Sequence, residues 1–209
     1  MVPVKYISSD FPVTELDDPA WRSTSEILID TYWSGDKAPL SRHLTAGFLW
    51  SDTGLYVRFN AKQNEPLVMN DKPDLTRKTV GLWKRDVCEV FLAPDRSQPK
   101  NYFEFEIAPT GEWLDLKVEI IDNGRVTNWN YRSMIETAAD IRDDHVLMTL
   151  MIPFESLGAR PSAGDIWLGN VFRCVGSGPG RGYLAWQPTR TEIPNFHVPS
   201  HFGQFEFGE

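Results

Sequence analysis

Three glutamates on neighbouring strand-like segments are the side chains with the clearest capacity for chemistry. Glu89 lies in the apolar run 86–92, and Glu104 and Glu106 alternate with phenylalanines in the next run, 101–108. Because side chains of a strand alternate between its two faces, Glu104 and Glu106 share a face, and pairing of the two runs would bring Glu89 to them. Such a cluster could contact a ligand, bind calcium, supply an acid and a base, or form a solvated face with ordinary salt bridges.

One basic side chain stands out within an apolar segment. Arg173 lies inside the strand-like run 166–175. A charge in such a segment must be paired or point outward, since burying an isolated charge is costly. Glu89 and Glu104 are its natural partners, and we expect such a pair to line a pocket.

Aromatic residues supply a second kind of candidate. The chain has eight Trp, and Trp is rarely buried completely, so surplus Trp often lines a binding surface. Trp83 lies at a junction between a loop and a strand, which favours exposure, and Trp129 lies in a polar aromatic turn. Phe196 lies between two prolines, a setting typical both of core packing that fixes a loop and of a ligand contact.

Other common reactive motifs are weak or missing. His197 and His201 have i, i+4 spacing, but Pro199 between them rules out a shared helical face for a metal. The glycine-rich segment 177–182 lacks the Lys and the following helix of a phosphate loop. The two cysteines, in separate apolar runs, are predicted to be buried thiols.

Charge and length exclude several classes of protein. The formal net charge of the 209 residues is −8, which counts against binding of nucleic acid. No apolar stretch approaches the ~20 residues of a membrane helix, so we expect no membrane partner. Residues 1–12 lack a secretory signal, which favours the cytoplasm, and we expect a monomer.

The elements that must position these side chains are short β-strands. Apolar and polar residues alternate in segments such as 101–108 and 114–120, separated by turn signals such as Asp52-Thr53-Gly54. Residues 153–158 predict one helical turn, and the polar segment 66–80 predicts a long loop. We therefore predict a single all-β domain over residues 1–209, with sandwich and barrel equally compatible with the pattern.

A set of motifs resembles family 9 carbohydrate-binding modules, which are related to the DOMON-like superfamily. The segment Trp83–Phe91 has the form Trp-x-x-Asp-x-x-Glu-Val-Phe, which is similar to the family's signature strand. Further segments resemble the family in the same order along the chain, namely 20–21, 49–57, 102–105, 152–158, 164–171, 186 and 196–203.

The resemblance implies a fold and a site. The fold would be an antiparallel β-sandwich of jelly-roll or immunoglobulin-like type. Trp83 and Phe196 would hold a terminal sugar ring between them, and Glu89 would accept its hydroxyls. These roles suit a pyranose, which presents C–H faces to aromatic rings and a rim of hydroxyls to planar polar groups.

The sequence also departs from the sugar-binding members it resembles. Phe196 stands where they carry Trp, Glu104 where they carry a basic residue, and Phe172 where they carry an amide. Related modules hold structural calcium, but no Asp-x-Asp-x-Asp loop is present here.

The predicted function is therefore non-catalytic binding of a mono- or oligosaccharide. The predicted contacts are Trp83, Glu89, Glu104, Trp129, Arg173 and Phe196, with structural calcium left open. Extracellular or periplasmic residence would follow from the family resemblance. Three alternatives remain: a scaffold without a ligand, a glycoside hydrolase that uses Glu89, Glu104, Glu106 or Asp115, and a haem domain with Met69 and His145 as ligands.

Overall fold

The computed structural model describes residues 1–209 and is built almost wholly from β-strands. The prediction of an all-β domain is confirmed, and the predicted helical turn is the four-residue helix α1. None of the helices has the length and apolar character needed to cross a bilayer. The strands are β1 Val2–Tyr6, β2 Ile27–Ile29, β3 Leu44–Trp50, β4 Gly54–Lys62, β5 Val87–Ala93, β6 Asn101–Ile107, β7 Trp113–Ile121, β8 Gly124–Asn128, β9 Glu136–Ile141, β10 His145–Pro153, β11 Ile166–Val175, β12 Gly182–Ala185 and β13 Gly203–Phe207, and α1 is Phe154–Leu157.

The strands form two sheets that share β1. The larger sheet has the order β8-β7-β6-β5-β11-β13-β1, with β12 also pairing with β11. The smaller sheet has the order β1-β3-β4-β10-β9, with β2 on β3. The expectation of an antiparallel fold holds for every pair except those of β1, which runs parallel to both β13 and β3. By pairing with both strands, β1 covers backbone groups that would otherwise form two open sheet edges.

The main core lies between the two sheets, which makes the fold a sandwich. Phe105 of β6 and Val171 of β11 face Phe48 and Phe59 of the smaller sheet in one buried cluster. The rings of Phe48 and Phe205 meet across the layers with centroids 5.0 Å apart. Apolar burial of this kind contributes roughly 25 cal/mol per Å² of surface removed from water, and it is the main force that holds the sheets together.

The outer face of the larger sheet is apolar as well. Phe91, Tyr102 and Phe172 form a second buried cluster there, covered by the loop between β12 and β13. This double coverage explains why every residue of β5 is buried. Side chains that alternate outward from β5, β6 and β11 therefore enter a second enclosed layer instead of water, and the candidate site lies in this layer.

Candidate functional site

A cavity of about 550 Å³ opens on the outer face of the larger sheet. Glu89 of β5 and Glu104 of β6 form part of its lining, together with the aromatic side chains of Trp83, Trp129 and Phe196. Five of the six residues predicted to contact a ligand thus line one cavity. Its other lining residues are Leu116, Ile120, Gly124, Arg125, Cys174, Tyr183, Pro194, Asn195 and His197.

The exposure of Trp83 follows from the turn that carries it. Gly81 has a φ of 87°, a conformation that side-chain-bearing residues rarely adopt, and it starts the 3₁₀ turn Leu82–Lys84. Leu82 is fully buried and anchors this turn, while Trp83 next to it stays 36% exposed. The Arg181 guanidinium donates hydrogen bonds of 2.7 Å to the carbonyls of Trp83 and Arg85, which fixes the turn against the sheet.

Trp129 extends the aromatic wall that Trp83 begins. It follows β8, is 43% exposed, and its ring centroid lies 6.1 Å from that of Trp83 with a tilt of 42°. Two tilted indoles at this spacing form a continuous apolar surface that can contact a ring-shaped ligand.

Phe196 lies deeper than the two tryptophans. Its ring stacks on Phe172 of β11 with centroids 4.1 Å apart and an angle of 9°, and only 8% of the residue is exposed. One ring face is thus already covered by the sheet. Phe196 packs in the outer apolar cluster and also lines the cavity, and its predicted contact with a ligand stays a prediction.

The three glutamates converge as the alternation predicts. In the register of β5 and β6, Glu89 lies opposite Glu106, and Phe91 lies opposite Glu104. One carboxylate oxygen from each glutamate lies within 4.8 Å of the other two. All three side chains are buried, so the interpretation as a solvated face is wrong.

These carboxylates have few partners. Glu89 accepts a weak hydrogen bond of 3.6 Å from the Cys174 thiol. Glu104 Oε2 and both oxygens of Glu106 accept no hydrogen bond. The nearest basic group is His197, with Nδ1 3.9 Å from Glu104, and no Lys or Arg nitrogen lies within 4.0 Å of the cluster.

The electrostatics of this cluster favour protonation in the free protein. Burial raises the pKa of Glu89 and of Glu106 well above its ordinary value, and repulsion from neighbouring carboxylates raises it further. Burial also raises the pKa of Glu104, although a hydrogen bond with Glu106 and the positive charge of Arg125 oppose this. Burial lowers the pKa of His197 to about 3, so its imidazole is neutral and supplies no countercharge.

Arg173 does not belong to the cavity. It follows Phe172 in β11, and strand alternation turns its side chain to the opposite face of the sheet. There it donates hydrogen bonds to Gln63 Oε1 at 2.7 Å and to the carbonyls of Arg42 and His43. The predicted pairing of Arg173 with Glu89 or Glu104 is wrong, because the two carboxylates lie on the other side of the larger sheet.

Several lining residues were not predicted from the sequence. Leu116 pairs with Glu104 across β6 and β7, so its position follows once that register is known. Arg125 in β8 and His197 in the loop before β13 lie far from the signature strand along the chain. No local pattern distinguishes them, and only the tertiary packing brings them to the cavity.

Calcium fits this cluster only in part. Carboxylate oxygens are the ligands that calcium prefers, but the ion takes roughly six to eight of them. The three glutamates offer one oxygen each at a common point. Further oxygens would have to come from water or from a ligand.

A β-sandwich with an aromatic and acidic cavity on the outer face of one sheet is the architecture of a ligand-binding module. Residues 14–208 match the model of the family described as carbohydrate family 9 binding domain-like, and the chain belongs to this family. The predicted family membership is confirmed. Among curated proteins, none matches the chain.

Solved structures share the fold at low sequence identity. A candidate carbohydrate-binding protein from Bacteroides uniformis has a TM-score of 0.77 at 16% identity, with 99% of this chain and 98% of that chain covered. A family 9 carbohydrate-binding module from Caldicellulosiruptor kristjanssonii, in complex with cellotriose, has a TM-score of 0.69 at 15% identity, with 99% and 93% covered. A structure of a family 9 module from the same organism with glucose has a TM-score of 0.68 at 16% identity, with 99% and 96% covered.

Proposed function

We propose that this protein binds carbohydrate without catalysis and holds a pyranose ring in the cavity against Trp83 and Trp129. The observation that carries the proposal is the exposed pair of indoles beside the buried carboxylates of Glu89 and Glu104. Membership of a carbohydrate-binding family supports the same conclusion.

The aromatic wall supplies the apolar part of the binding energy. A pyranose packs its C–H face on an indole, and burying about 100 Å² of apolar surface yields roughly 2–3 kcal/mol. The fixed turn around Trp83 lowers the entropic cost, because the indole needs little ordering when the ligand arrives.

The carboxylates supply the polar part. Glu89 and Glu104 reach the cavity, and a carboxylate oxygen there can accept a hydrogen bond from a sugar hydroxyl. Such bonds contribute roughly 1.5–3 kcal/mol each before ordering costs are subtracted. An aromatic shelf beside acceptor oxygens matches a ring with one apolar face and a polar rim.

The neighbours suggest which sugars to test first. Their structures were solved with cellotriose and with glucose, so we propose a glucose-type pyranose, free or at the end of an oligosaccharide, as the basic ligand shape. The cavity volume of about 550 Å³ accommodates one or two such rings.

Isothermal titration calorimetry with glucose and cellotriose tests the proposal. We expect binding by the native protein and at least ~10-fold weaker binding by Trp83→Ala, since the main stacking contact is lost. Leu28→Ala is the matched control, because Leu28 is an exposed apolar residue on β2 of the smaller sheet.

Two results would overturn the proposal. One is an absence of heat with every mono- and oligosaccharide tried, which would favour a scaffold without a ligand. The other is unchanged affinity in Trp83→Ala, which would place the site elsewhere. Release of product from an aryl glycoside, lost in Glu89→Gln, would instead show a hydrolase.

A further inference from the structure

We propose that the cavity selects a pyranose that carries an ammonium group, an amino sugar, and seats this group on Glu89, Glu104 and Glu106. The inference rests on the proposed function and names the class of sugar. It is carried by three buried carboxylates with oxygens within 4.8 Å of one another, two of which, Glu89 and Glu104, line the aromatic cavity, while no Lys or Arg forms an ion pair with them.

The lack of partners is specific to this cluster. Asp86, also buried, accepts backbone hydrogen bonds from Val68 and Gly176. Asp115 forms an ion pair of 2.8 Å with Lys78. Elsewhere in the fold, therefore, buried acids are matched by donors, as the cost of burying a charge requires.

Glu106 gives the strongest independent indication of a ligand. It is fully buried behind the cavity-lining pair, and neither of its oxygens accepts a hydrogen bond. Packing alone would be served by an apolar residue at this position. Its hydrogen-bonding neighbour is another acid, Glu104, so loss of the proton between them on arrival of a cation would leave negative charge directly behind the cavity.

The geometry of the cluster suits an ammonium group. An ammonium has three N–H donors, and acceptors placed tetrahedrally around it at about 2.8 Å lie about 4.6 Å from one another. The three carboxylate oxygens lie within 4.8 Å of one another. This limit admits the spacing that an ammonium needs, with Glu89 and Glu104, which line the cavity, as the first acceptors of its N–H groups.

The walls of the cavity suit the same ligand. Trp83 and Trp129 can contact the C–H face of the ring, and indole faces attract cations. Arg125 also lines the cavity and forms no ion pair with the cluster, so the carboxylates have no cationic side chain as a partner.

The proposal predicts that binding of an amino sugar releases protons from the three glutamates. Burial raises the pKa values of the three glutamates, so in the free protein they hold protons that an arriving ammonium would displace to the buffer. The neighbouring titratable groups cannot supply these protons at neutral pH. Burial raises the pKa values of the Cys174 thiol and the Tyr102 hydroxyl, and burial lowers the pKa of His197 to about 3, so its imidazole is already neutral.

Calorimetry with glucosamine, glucose and N-acetylglucosamine tests the inference, with EDTA present and in two buffers of different ionisation enthalpy. We expect glucosamine to bind at least ~10-fold more tightly than the two neutral sugars, because charge-assisted hydrogen bonds are the stronger kind. We also expect proton release on binding of glucosamine and none on binding of glucose or N-acetylglucosamine. Glu106→Gln, behind the cavity lining, should remove most of this preference and still bind glucose, whereas Glu155→Gln, outside the cavity, should change neither.

The outcomes separate this inference from the proposed function. Equal affinity for glucosamine and glucose would overturn the amino-sugar preference and leave carbohydrate binding intact. An absence of binding by all three sugars would overturn both. Sugar binding that requires calcium and is lost with EDTA would show that the cluster holds a metal ion and would overturn the ammonium assignment.

Discussion

The two faces of the larger sheet bury charge in opposite ways. On the inner face, Arg173 donates to Gln63 and to two backbone carbonyls. On the outer face, Glu106 is at least as deeply buried, and its hydrogen-bonding neighbour is another acid, Glu104. The difference indicates that the inner charge is matched by partners within the fold, whereas the outer acids have no Lys or Arg partner in it.

Polar groups buried without partners in a binding site commonly lower the stability of the folded protein. An unpartnered buried group costs roughly 1–3 kcal/mol, more if charged, and the folded protein must offset this cost elsewhere. Here the offset comes from the double apolar coverage of β5, β6 and β11. Substitutions on the two faces should therefore change stability in opposite directions.

The largest expected effect is on the inner face. Arg173→Met keeps most of the side-chain volume but removes every donor, which leaves Gln63 Oε1 and two carbonyls without this partner. We expect the free energy of unfolding to fall by about 3 kcal/mol in urea denaturation. A loss below about 1 kcal/mol would show that the inner charge does little for the fold.

The matched change on the outer face should stabilise the protein. Glu106→Gln removes a buried acid that is repelled by Glu89 and Glu104, and its amide can donate to their oxygens. We expect the free energy of unfolding at neutral pH to rise by about 1 kcal/mol. If this variant is destabilised as much as Arg173→Met, the two faces do not differ as described.

The pH dependence of stability should also reflect the three buried glutamates. The three glutamates have folded-state pKa values above the ordinary 4.5, so the folded state binds more protons than the unfolded state above that pH. Their stabilising contribution is complete below the unfolded pKa and is lost as pH rises through the folded pKa. We expect unfolding free energies to decrease from about pH 6.5 upward, with a smaller slope in Glu106→Gln.

His197 defines the lower limit of that measurement. Its folded pKa of about 3 lies below its ordinary value of 6.5, so its contribution is lost as pH falls through that interval. Well above pH 6.5 this term is constant, and the three glutamates act there together with Asp86, whose pKa burial also raises. A stability that rises with pH in that range would contradict the assignment of raised pKa values to the cluster.

The smallest expected effect concerns the outer rim. Trp129→Ala removes the more exposed indole of the pair, so sugar affinity should weaken only ~3-fold. The melting temperature should change by less than about 2 °C, since exposed residues contribute little to stability. A loss in Trp129→Ala larger than that in Trp83→Ala would move the main stacking contact to the β8–β9 turn.

Local alternation was enough to predict much of this arrangement. Period two along β6 placed Glu104 and Glu106 on one face and the phenylalanines on the other, as found. The junction before β5 correctly indicated an exposed Trp83. These features depend on neighbours along one strand or turn, which a sequence displays directly.

Long-range pairing was harder to predict. The parallel partners of β1 lie far along the chain, and Pro3 within it weakens the strand signal. Charge complementarity alone places Arg173 beside the glutamates, whereas alternation with Phe172 and Cys174, which pack in the outer layer, places it on the inner face. The positions of Arg125 and His197 beside the cavity depend on sheet curvature and loop packing, which no local pattern specifies.

The central claim is that the outer face of the larger sheet receives a sugar at the three glutamates. NMR spectra of protein labelled with ¹³C at the glutamate carboxyl carbons, recorded during titration with glucosamine and glucose, test it most directly. We expect the resonances of Glu89, Glu104 and Glu106 to shift, most strongly with glucosamine, while those of exposed Glu26 and Glu155 stay unchanged. Saturable shifts confined to other glutamates, or none at any sugar concentration, would contradict the account.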